Sequence, residues 1–68
     1  MSIVCIRPLD GGLLFEIHGV EPHYINVKDV ELGARIIRLN GIAENCGFSD
    51  DMDEKSYLLL QSIVDSSS

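Results

Sequence analysis

The sequence predicts a small α+β fold, with a three-stranded antiparallel sheet followed by two α-helices packed on one of its faces. Three observations point there. Two β-prone runs, residues 3–9 and 13–18, flank the turn-forming Asp10-Gly11-Gly12. A short third run, Tyr24-Ile25-Asn26-Val27, follows a turn around Val20-Glu21-Pro22. From Asp29 onward, apolar residues recur at helical spacing.

Asp-Gly favours a type I′ turn, in which both central residues take positive φ. With Asp10 and Gly11 as that pair, Leu9 faces Gly12, Pro8 faces Leu13, Ile6 faces Phe15 and Val4 faces Ile17. The face that carries Pro8–Leu13, Ile6–Phe15 and Val4–Ile17 is wholly apolar. The other face pairs Arg7 with Leu14, Cys5 with Glu16 and Ile3 with His18. Turn chemistry and side-chain alternation thus agree on one register. In the third strand, Ile25 and Val27 should join the core face, while Pro22, which has no N–H to donate, belongs in the turn or at an edge.

Asp29 reads as the N-cap of a first helix from about Val30 to Cys46, with Glu31 in its first turn and an i,i+4 pair between Glu31 and Arg35. Gly47 is a natural stop. Gly33 and Gly41 inside this span each cost about 1 kcal/mol relative to alanine, and a break near Asn40-Gly41 is the alternative. Ser49 reads as the cap of a second helix, from about Asp50 to Asp65, with Met52, Leu59, Leu60, Ile63 and Val64 on one face. Residues 1–65 form one domain and Ser66-Ser67-Ser68 a flexible tail.

Sixty-eight residues are near the lower limit for a core that is stable alone. Such a chain usually needs a disulfide, a metal or a partner. Cys5 and Cys46 are too few for a disulfide framework and read as reduced thiols. With no secretory signal or membrane-length apolar run visible, they imply a cytoplasmic protein. The first helix carries two apolar stripes. One is Leu32, Ile36, Leu39, Ala43 and Cys46; the other is Val30, Ala34, Ile37 and Gly41. One stripe suffices for a surface helix, so either the sheet and the second helix cover one stripe each, or the small-residue stripe Val30, Ala34, Ile37 and Gly41 is open as the face of a homodimer.

No segment matches a catalytic, metal or nucleotide-binding motif, and the expectation is a non-enzyme without a cofactor. An EF-hand loop starting at Asp51 would put Lys55 at its fifth position and Ser62 at its twelfth. His18, His23 and Cys5 lack the close ligand pairs that zinc prefers. Charge is more informative. From Glu44 onward six acids stand against the single base Lys55, a net of −5, whereas the first 43 residues carry five acids and four bases. Such a charge repels nucleic acid and attracts a basic protein surface.

The helix dipole favours acids at a helix start, by about 0.3–1 kcal/mol each. Four acids within five residues, Asp50, Asp51, Asp53 and Glu54, exceed what one dipole needs. They are therefore the expected partner-binding residues, with Glu16 and His18 on the outer sheet face extending the contact. In layout and charge the chain resembles compact acidic proteins of phages and mobile elements that inhibit host nucleic-acid machinery. That resemblance implies a protein inhibitor occupying a basic, nucleic-acid-handling surface. The competing expectation is a small structural or assembly subunit that acts by homodimerising.

Overall fold

Asp10 and Gly11 have φ of 48° and 80°, the two positive values that a type I′ turn requires. The turn joins β1 (Ile3–Leu9) to β2 (Gly12–Ile17) in an antiparallel hairpin. Leu9, Pro8, Arg7, Ile6 and Cys5 face Gly12, Leu13, Leu14, Phe15 and Glu16, as the alternation predicts. Beyond Cys5 the register slips. Ile3, not Val4, faces Ile17, and Val4 is an exposed bulge residue. The slip returns Ile3 to the core side, where it is completely buried.

The computed structural model describes all residues from Met1 to Ser68. After the hairpin come β3 (His23–Ile25), α1 (Val30–Asn40), β4 (Ile42–Phe48) and α2 (Glu54–Ser67). The sheet has four strands in the order β3-β2-β1-β4. It is mixed, because β4 runs parallel to β1 while the other two pairings are antiparallel. The expected three-stranded antiparallel sheet is thus corrected by one strand, although the α+β class holds.

The extra strand comes out of the expected first helix. That helix ends at Asn40, whose side-chain amide donates to the Ile36 carbonyl. Gly41 takes φ 74° and ψ 167°, a conformation essentially confined to glycine, and its N–H still bonds to the Ile37 carbonyl. The Gly41 carbonyl then accepts from Ile3 N–H at 2.9 Å, and pairing with β1 begins. Without β4, the second edge of β1 would present a row of unpaired backbone groups. The pairing is irregular. Ile42 faces Ile3 and Gly47 faces Cys5, so four residues of β4 stand against Val4 alone.

The core consists of Ile3, Ile6, Leu13, Phe15, Ile17, Ile25, Ile36, Leu60 and Ile63, with Met52, Leu59 and Val64 packed at its margin. The apolar face expected of α2 is the face it buries. Val27 lies beyond the end of β3 and is exposed, which corrects its expected place in the core. The radius of gyration, 10.6 Å, matches the ~11 Å expected of 68 residues folded as one body. Ser66 and Ser67, expected in a loose tail, form the last turn of α2. The Arg38 guanidinium donates to the Ser66 carbonyl at 3.1 Å. Arg38 also pairs with Glu31 at 3.1 Å, taking the role expected of Arg35.

Both stripes of α1 send residues inward, and Ile36 of the first is buried in the core. Val30, Ala34 and Ile37 face inward, and Ala34 is completely buried. Gly41 lies past the helix end. Much of the expected dimer stripe is thus engaged within the chain, with Val30, Ile37 and Gly41 only partly buried. Leu32 and Leu39 of the other stripe are exposed, Leu39 by 77%. Gly33 supplies the close approach between helices: a Cβ there would stand 3.0 Å from two carbons of Ile63.

Candidate functional site: the acidic loop between β4 and α2

Strand β4 ends at Phe48, and Ser49 N–H makes a last bond to the Ile6 carbonyl at 3.1 Å. The chain then turns. The Ser49 hydroxyl accepts from Asp51 N–H at 3.2 Å and its carbonyl from Met52 N–H. Serine here stabilises a turn, the competing use of a short hydroxyl side chain that also makes it a good helix cap. Met52 packs against the core margin, and Asp53 caps α2, its Oδ1 accepting from Ser56 N–H at 2.9 Å. The helix starts four residues later than the sequence suggests.

This shift divides the four acids by role. Hydrogen bonding from Ser56, through its side chain first and its backbone N–H second, holds the Asp53 carboxyl below the usual aspartate range. Glu54 occupies the first turn, where the dipole favours it. Asp50 and Asp51 lie outside the helix. Both are exposed, and neither carboxylate makes a hydrogen bond or ion pair within the chain. Two of the four acids therefore have a structural role at the helix start and two have none.

The structure brings Asp50, Asp51, Asp53 and Glu54 into one exposed segment at the end of β4. His18 lies away from them, whereas Glu16 stands level with Gly47 near the start of the loop. Glu16 lies on the outer sheet face opposite Cys5, which in turn faces Gly47 across β1, and Arg7 holds its carboxylate at 3.3 Å. His18 follows β2 at the end where Ile17, Ile3 and Ile42 lie side by side, the opposite end of the sheet from Phe48. The layout separates His18, but not Glu16, from the loop.

One feature of the loop escapes the sequence pattern. The Phe48 and Tyr57 rings pack with centroids 6.1 Å apart and planes inclined at 59°, and they lie at the two ends of the acidic segment. Phe48 is 51% exposed and Tyr57 49%. The signal was faint: two aromatics nine positions apart are neighbours only because a turn, not a helix, separates them.

Elsewhere the chemistry is sparse. Cys5 and Cys46 are unbonded and half-buried. Burial, and secondarily the neighbouring Cys5, pushes the Cys46 thiol above its ordinary pKa. No three His, Cys, Asp or Glu side chains converge as a metal site, and no pocket opens on the surface. No helix is long and apolar enough to cross a membrane. The sequence matches no known family model, and no curated protein or solved structure matches the chain.

Proposed function

We propose that the protein is a non-catalytic binding module whose acidic β4–α2 loop docks on a basic protein surface, one that otherwise handles nucleic acid. The observation that carries this reading is the state of Asp50 and Asp51. They are exposed carboxylates with no helix to stabilise and no partner in the chain, in a protein of net charge −6. Unpaired neighbouring acids repel one another, so the fold gains nothing from them. A row of Lys or Arg supplies what they lack, and the long-range field speeds the encounter. Occupying such a surface in place of nucleic acid would make the protein an inhibitor of it.

The test is affinity capture from the native host with the parent protein and with the Asp50→Asn, Asp51→Asn variant. Asp53 is left intact because it caps α2. Charge docking predicts a captured partner with a basic surface, binding that weakens steeply as salt rises, and loss of capture in the variant. Unchanged capture by the variant at physiological salt would refute the reading.

A second reading, homodimerisation, now rests on a different surface. Leu32 and Leu39, one turn-pair apart on the outer side of α1, are exposed apolar side chains that a second copy would cover. Sedimentation at micromolar concentration separates the two. A dimer that persists at high salt and dissociates in a Leu39→Glu variant favours assembly, whereas a monomer excludes it.

A further inference from the structure

Phe48 and Tyr57 form an aromatic pair that the fold leaves half in water. The ring centroids are 6.1 Å apart with planes inclined at 59°, and about half of each residue remains in solvent. The segment that joins the two rings, Ser49 to Ser56, holds Asp50, Asp51, Asp53 and Glu54 and the single base Lys55. An exposed aromatic pair joined by a carboxylate-rich segment is matched by one kind of side chain, a cation that stacks well on a ring. The electron-rich faces of Phe and Tyr attract cations, and the carboxylates fix where the charge must sit.

Of the two candidate cations, arginine fits both halves. Its planar guanidinium stacks on a ring face while its edge N–H groups remain free to donate to carboxylates in pairs. A lysine ammonium is strongly hydrated and compact, and it has no planar face to lay on an aromatic ring.

We propose that Phe48, Tyr57 and the acidic loop between them form a recognition site for arginine side chains of a basic protein segment. This rests on the reading of the loop as a docking surface and adds which cation it selects. Asp50 and Asp51 supply attraction to any cation. The ring pair supplies discrimination in favour of arginine.

The experiment is a calorimetric titration at low salt with two probes, a short peptide alternating arginine with glycine and its lysine counterpart of equal length and charge. The parent should bind the arginine peptide about fivefold more tightly, the scale of a cation–ring contact at an exposed site. Replacing both rings (Phe48→Leu, Tyr57→Leu) should remove that preference and leave binding of the lysine peptide as it was. A Tyr57→Leu single variant provides the same readout should the double variant fail to give a native amide spectrum. Equal binding of the two peptides by the parent overturns the proposal, as does a preference that survives loss of the rings. If the peptides bind equally and the Asp50→Asn, Asp51→Asn variant binds neither, arginine selection fails while the docking loop stands. If neither peptide binds the parent, both fall.

Discussion

The Tyr24 hydroxyl donates a hydrogen bond to the Asp10 carbonyl oxygen at 3.0 Å, tying β3 to a turn fourteen residues earlier in the chain. The tyrosine reaches it by lying over Gly12. A Cβ at Gly12 would overlap the Ile25 carbonyl oxygen and stand 2.8 Å from the Tyr24 hydroxyl. Gly12→Ala should therefore destabilise the fold by about 1–3 kcal/mol, because backbone and ring must both move. Tyr24→Phe removes only an exposed hydrogen bond, for about 0.5–1 kcal/mol. Urea denaturation of the two variants checks the order. A neutral Gly12→Ala would mean that β3 is not seated on the hairpin as described.

Gly33 poses a sharper contest between two effects. Alanine is the better helix former by about 1 kcal/mol. Its methyl group would lie 3.0 Å from Cδ1 and Cγ2 of Ile63 and 3.2 Å from Cγ2 of Ile25, all in the core. Overpacking of that kind costs about 1–3 kcal/mol, so a net loss of about 1 kcal/mol is expected for Gly33→Ala. Ile63→Val removes Cδ1 and should then be less harmful in the Gly33→Ala background than in the parent. A double-mutant cycle measures that coupling, and strict additivity would mean that the helices do not meet at Gly33.

What could be read from the sequence follows the range of the forces involved. The Asp10-Gly11 turn and the Ile6–Phe15 pairing were legible because turn chemistry and alternation are local. The slip at Val4 was not, since it depends on both neighbouring strands changing register at one residue. Strand β4 was hidden for a related reason. Ala43 and Cys46 continue the helical spacing of Ile36 and Leu39, and only the open edge of β1 gives residues 42–48 a better use. In the acidic segment, Ser49, Asp50, Asp51 and Asp53 are all good N-caps, and local chemistry alone does not choose among them. The burial of Met52 accompanies the choice of Asp53, and with it the separation of helix acids from free acids that the functional reading uses.

Gly41 is where the helix and strand alternatives part, and its φ of 74° with ψ of 167° decides between them. Nothing crowds the position, so Gly41→Ala isolates backbone strain. The expected loss is about 1–3 kcal/mol. Exchange of the Ile3 amide, which donates to the Gly41 carbonyl, should accelerate more than that of amides within the β1–β2 ladder. Uniform acceleration would signal global destabilisation without a local release of β4.

The Cys46 thiol should be the slow one to alkylate. Burial first, and Cys5 second, raise its pKa, so at pH 8 its thiolate fraction falls below that of an ordinary cysteine. Mass-spectrometric time courses with iodoacetamide should show its rate climbing only at alkaline pH. Because burial is the larger cause, Cys5→Ser should accelerate the reaction only slightly. A Cys46 that reacts at neutral pH as fast as a free thiol would contradict its packing against the core.

The two kinds of acid in the β4–α2 loop should separate by their effect on the fold. Asp53→Ala removes the acceptor for Ser56 N–H and should lower the denaturation midpoint and loosen the amides of the first turn of α2, whereas Asp53→Asn keeps a capping oxygen and should retain most of the stability. Asp50→Ala and Asp51→Ala should leave the midpoint unchanged or raise it slightly, through relief of repulsion between neighbours. The pH dependence gives an independent check. The folded-state pKa of Asp53 is depressed, so its contribution is fully present above the unfolded aspartate value of about 3.9 and is lost as pH falls through the lower folded value. The protection factors of the amides in the first turn of α2 should therefore fall below about pH 4 in the parent, with no such step in Asp53→Asn. A step that survives in Asp53→Asn and vanishes in the Asp50→Asn, Asp51→Asn variant would move the cap to the wrong residue. It would also take away the freedom of Asp50 and Asp51 on which the docking surface depends.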